Sequence, residues 1–252
     1  MKSIYKKSEL TFSIILIAAY CVLMSVGDGL SARLGVANSV TLPVAAALCL
    51  VLVVFIKTNG LFKKYGFCKP VIKSKKTLYY IPLAVLLTVN LWHGISLEAN
   101  ATEVALHIVT MLLVGFLEET IFRGFLFKAL LEQGTKSAII ISSVTFGAGH
   151  IIRLFNGSGA ELFENILQVI YAMAAGFMFV MLFFKTKSLI PCILGHGCFN
   201  ALSIFQNESA LTMGHNIFSC LMLVIISLGY ALYLTFAIKD ETKQRENFNV
   251  KE

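Results

Sequence analysis

The sequence predicts an all-α, polytopic membrane protein with eight transmembrane helices in a single membrane domain, and three observations lead there. Hydrophobic residues make up 57% of the 252 and charged residues only 14%, with a mean hydropathy of +0.79, too apolar for a soluble globular chain. Charge-poor apolar runs recur along the whole length, most of them near or above the roughly 18–20 residues that span a hydrocarbon core. An eight-span layout also sorts the charges. Of the 21 Lys and Arg, only Arg33, Arg153 and the intramembrane Arg123 lie off one face, while Asp28, Glu98, Glu103, Glu161, Glu164 and Glu208 occupy the other. With an even span count both termini share the basic face, which the positive-inside rule makes cytoplasmic.

The elements follow in order. Span one, 11–27, exceeds the apolar core of a signal peptide, roughly 7–15 residues, and is expected to stay as a helix. Span two is 38–56. The Lys-rich stretch 57–76 forms a cytoplasmic loop, with an amphipathic interfacial piece expected at 61–67. Spans three to eight are 77–97, 104–131, 137–152, 165–184, 188–205 and 216–238. Residues 1–76 read as supporting helices and loop, 77–240 as a functional core, and 241–252 as a cytoplasmic tail. The tail ends Asn-Val-Lys-Glu and carries no prenylation box. Trp92, Tyr79, Tyr80 and Tyr230 are expected as interface anchors.

The net charge of +7 belongs to inner-face topology and contact with anionic lipid, not to nucleic acid. Cys21, Cys49, Cys68, Cys192, Cys198 and Cys220 are scattered without a C-x-x-C pair, so neither a disulfide framework nor a thiolate metal site is indicated. No repeat relates the two halves, which weighs against a transporter.

Chemistry concentrates between 118 and 200. Span four reads VGFLEETIFRGFLF, and each charge at the bilayer centre costs about 2.5–3.5 kcal/mol even on lenient insertion scales. Glu119 and Arg123 stand at i, i+4 with the acid first, the better order for an intrahelical ion pair. Glu118 points about 100° away and is left to face a cavity, where a carboxylate suits general-base work. In span five Phe146 and His150 share a face, with Gly147 and Gly149 small enough for close helix approach. In span seven His196 and Asn200 share a face, with Pro191 at the helix start, where proline is tolerated. At 1.5 Å per residue from the inner ends, Glu118 and His150 reach about 20 Å, Asn200 about 18 Å and His196 about 12 Å. The groups converge at mid-membrane depth. His93, His107 and His215 sit near segment ends and read as packing residues.

The order Glu-Glu-x-x-x-Arg, Phe-x-x-x-His, His-x-x-x-Asn over 118–200 resembles the CAAX-protease and bacteriocin-processing (CPBP) membrane endopeptidases. The resemblance implies that Glu118 with His150 activates a water, that His196 and Asn200 stabilise the oxyanion, and that Glu119 and Arg123 orient Glu118. As an alternative, Glu118, His150 and His196 could supply three ligands to Zn2+ with one open position. No H-E-x-x-H is present, and Glu118 is needed as base, so metal-free glutamate chemistry is the expectation. The substrate expected is a hydrophobic or membrane-borne peptide or protein, with the lipid bilayer as the other partner. The compact loops suggest a bacterial plasma membrane. A proton-coupled transporter and a non-catalytic bacteriocin-immunity protein are the competing readings.

Overall fold

Apolar runs of this length leave the backbone no hydrogen-bonding partner but itself, so the spans fold as helices. The computed structural model describes residues 1–71, 80–156 and 161–237; among these the chain is helical, apart from turns and one isolated antiparallel bridge between Ile95 and Gln206. A short amphipathic α1 (Lys2–Lys7) leads into α2 (Glu9–Leu34). Ser8 caps α2 by accepting from the Thr11 amide, and Gly35, at φ 70, ends it in the left-handed conformation. Next come α3 (Thr41–Thr58) and α4 (Ile81–Leu87), the latter begun by Pro82. Asn100 and Glu103 form a capping box that starts α5 (Ala101–Glu118).

α5 continues as a π-helical stretch, Glu119–Leu126, into α6 (Phe127–Leu130). Then follow α7 (Thr135–Gly149) with a 3-10 extension His150–Leu154, α8 (Leu162–Thr186), α9 (Ile190–Ala201) with a 3-10 extension Leu202–Phe205, and α10 (Met213–Ala237).

Six helical stretches among the described residues are long and apolar enough to cross a membrane: Glu9–Leu34, Thr41–Thr58, Ala101–Gln133, Thr135–Leu154, Leu162–Thr186 and Met213–Phe236. They coincide with six of the eight predicted runs. At the third and seventh runs stand shorter apolar helices, Ile81–Leu91 and Ile190–Phe205.

Two details depart from expectation. The piece at 61–67 is a run of turns, not an interfacial helix. Tyr65 is fully buried there, 4.3 Å from the Phe125 ring, and the Leu189 amide donates to Gly66 O. This part of the loop is a plug under the bundle, tied to α1 and α2 because Lys64 bonds Glu9 and Tyr5 while Tyr65 bonds Tyr5. Tyr230 is no interface anchor but a buried core residue, since its place on α10 turns it inward. Tyr79 lies outside the described residues.

Helices in lipid gain little from water exclusion and associate by close packing of small residues. Two crossings here depend on glycine. A Cβ on Gly115 of α5 would lie 2.6 Å from the Gly197 amide nitrogen of α9, and one on Gly147 of α7 would lie 2.7 Å from the Met173 nitrogen of α8. These backbones touch. α7 and α9 are thereby drawn against α8 and α5, bringing His150, His196 and Glu118 to one place. Gly149, by contrast, meets nothing within 4 Å and takes no part in the approach.

Candidate active site

A cavity of about 570 Å³ opens among the helices; Tyr20, Glu118, His150, His196 and Asn200 line it together. All four residues expected to carry chemistry therefore face one space. Glu118 ends the α-helical part of α5, and its neighbour begins the π-helical turn. Such turns often mark functional sites. Here the wider turn holds Glu119 and Arg123, both fully buried, and the Ser142 hydroxyl of α7 donates to Phe122 O at 3.0 Å.

The predicted ion pair is present: Arg123 Nη1 lies 3.1 Å from Glu119 Oε1, at ion-pair distance without hydrogen-bond alignment. The guanidinium rests on the Phe146 ring, with Cζ 4.0 Å from its centroid, a cation–π contact strengthened by the dry surroundings. Glu119 does not reach Glu118. Its Oε1 instead accepts from His196 Nδ1 at 2.8 Å. A carboxylate only accepts, so Nδ1 carries the hydrogen and Nε2 is the ring atom turned to Glu118, 3.4 Å from Oε2. Phe179 stacks on the other side of the imidazole at 5.4 Å.

His150 is fixed as firmly. Its Nδ1 donates to Phe146 O at 3.1 Å, which leaves Nε2 as the lone-pair nitrogen of the neutral ring. Its own carbonyl accepts from Asn165 Nδ2 at 2.9 Å. Phe146 thus serves three partners: its carbonyl sets the His150 tautomer, and its ring lies against Arg123, His150 and His196. Asn200 is oriented through its backbone, since His107 Nε2 lies 3.2 Å from Asn200 O and 3.1 Å from Ser203 Oγ. The Asn200 side-chain amide is left to the cavity.

Residues 100–202 match the family model for Rce1-like proteins, described as type II CAAX prenyl endopeptidase Rce1-like. This segment is similar to the CAAX protease family. The match begins at the cap of α5, ends just past α9, and takes in Glu118, Glu119, Arg123, His150, His196 and Asn200. The matched segment is part of a multi-pass membrane protein whose described residues fold as helices. Neither the curated proteins nor the solved structures contain a match.

Around this segment the structure adds residues that sequence reasoning passed over. Tyr20 of α2 donates its hydroxyl to Glu118 Oε1 at 2.6 Å, although α2 reads as support. Its only signal is a phenol in mid-span. Asn165, buried at the head of α8, and His107 are the other two, and both look like span-end polar residues in the sequence.

The residues named for the Zn2+ alternative are Glu118, His150 and His196. Among the described residues no group of three His, Cys, Asp or Glu side chains is placed to hold a metal ion. With His150 tied back to the Phe146 carbonyl, the direct contact is between Glu118 and His196 alone.

Proposed function

We propose that the chain is an intramembrane endopeptidase in which Glu118 is the general base. The observation that carries this reading is Glu118 Oε2: it is buried, has no hydrogen-bond partner among the described residues, and faces the cavity beside His196. A water held between Oε2 and His150 Nε2 gives its proton to Oε2 as its oxygen attacks the peptide carbonyl carbon. The tetrahedral oxyanion takes hydrogen bonds from the Asn200 amide and from protonated His196 Nε2, a role that suits fixed donors in a dry site. Glu119, accepting from His196 Nδ1, holds the charge of the imidazolium, which keeps both ring protons throughout the step. When the C–N bond breaks, Glu118 returns its proton to the leaving amine, leaving a free carboxylate and amine as products.

The same reading takes eight crossings, with Ile81–Leu91 and Ile190–Phe205 completing the six longer ones, both termini cytoplasmic, and the site at mid-membrane depth. The charge asymmetry of the sequence supports it. The substrate is a hydrophobic or membrane-borne peptide that enters from the bilayer, and the setting is a bacterial plasma membrane.

Purified protein would be incubated with internally quenched peptides, one set ending in a prenylated CaaX sequence and one set membrane-spanning and unprenylated. Wild type is expected to cleave at least one set, and Glu118→Gln and His150→Ala to lose about 10²–10⁴-fold in kcat. Addition of a chelator is expected to leave the rate unchanged. Glu118→Gln cleaving at the wild-type rate would sink the mechanism, as would a wild type that cleaves neither set.

A further inference from the structure

Tyr20 lies far outside the matched segment, on a helix otherwise read as scaffold, yet its hydroxyl is buried against the carboxylate proposed as base. We infer that Tyr20 is a positioning residue that fixes the Glu118 rotamer and selects Oε2 as the oxygen that takes the proton. The inference rests on the endopeptidase reading above.

The argument begins with satisfaction of polar groups. A buried phenol needs an acceptor, and hydroxyls on this same helix can find one in the backbone: Ser13 donates to Glu9 O at 2.7 Å. A tyrosine at mid-helix reaches further, and the group it reaches is Glu118. At 2.6 Å to an ionisable oxygen, this is in the range of charge-assisted O–H···O⁻ bonds, which are about twice as strong as neutral ones. A carboxylate has two oxygens that are chemically equal until a neighbour distinguishes them. Tyr20 occupies Oε1. Oε2 has no hydrogen-bond partner among the described residues and sits 3.4 Å from His196 Nε2.

The two sides of Glu118 are thus divided between a donor from α2 and the cavity. Without the phenol the carboxylate is free to turn about its last torsion, a broad, roughly two-fold well. Either oxygen, or neither, would then meet the water. The expected deficit lies in kcat, because the group that binds peptide is not the group that moves.

The test compares wild type, Tyr20→Phe, Glu118→Gln and the double variant in the same quenched-peptide assay. Thermal unfolding in detergent is followed for each, and peptide Kd is measured on the two inactive Glu118→Gln backgrounds. Tyr20→Phe is expected to lower kcat roughly 10–100-fold, with KM within about twofold, Tm unchanged, and the same Kd with and without the hydroxyl. An unchanged kcat overturns the inference, and so does a loss matched by a fall in Tm or a rise in KM or Kd, since a packing role would do that. If Glu118→Gln retains activity, or wild type cleaves no peptide in the panel, the endopeptidase reading itself fails.

Discussion

Arg123 heads the largest fully buried side chains among the described residues, and its guanidinium is held by charge and by rings more than by hydrogen bonds. Removing one partner of a buried ion pair strands the other, at about 3–5 kcal/mol, whereas replacing both by apolar groups is often close to neutral. Arg123→Met is therefore expected to lower the detergent Tm sharply, and Glu119→Leu combined with Arg123→Met to restore most of the loss. The restored protein should still be inactive, because His196 Nδ1 then has no acceptor. Thermal unfolding and peptide cleavage measured on both variants check this, and an active double variant would show that Glu119 does not govern His196. The sequence separates Glu118 from Glu119 correctly through the i, i+4 spacing to Arg123. It does not reveal that Glu119 serves His196, since spacing reports neighbours on one helix and this partner lies 77 positions away. Tyr20 escapes for the same reason, 98 positions from Glu118.

The glycine crossings set how closely the helices approach, and with that the distance between chemical groups on different spans. At Gly115 an added methyl meets backbone, with the Gly197 nitrogen at 2.6 Å and Cα at 2.7 Å, so no rotamer change can make room. Gly115→Ala is expected to cost about 1–3 kcal/mol, as overpacking does, and to lower cleavage because α9 carries His196 and Asn200. Gly149→Ala meets open space and serves as the control, with only a small effect expected on either measure. The two glycines of GAG are indistinguishable in sequence; only the face that α7 turns to Met173 of α8 makes Gly147 the close one. The turn structure at 61–67 is hidden in a similar way. Leu61, Phe62 and Tyr65 flank Lys63 and Lys64 at the three- and four-residue spacing an interfacial helix would have, and the plug becomes visible only once Tyr65 meets Phe125.

At the scale of the molecule, eight apolar runs are legible in the sequence, but their lengths in structure are not equal. The positive-inside layout predicts that epitope tags on both ends are shielded from antibody in intact cells and reached after permeabilisation. A tag exposed at either end of intact cells would break the eight-span reading. The two short helices bear on the bilayer itself. α9 has 12 residues and so rises about 18 Å, against a hydrocarbon core of about 30 Å. α4 is shorter still and packs beside it, and both present apolar side chains outward, Ile81 and Val85 on one, Ile190 and Leu194 on the other. On the eight-span reading, lipid next to this pair compresses to match them. On that reading the protein carries a thin spot in its own annulus, beside the helix that holds His196 and Asn200. Acyl-chain length then acts on the enzyme as a physical variable: cleavage in vesicles of short-chain phosphatidylcholine should outpace cleavage in long-chain vesicles at equal substrate density.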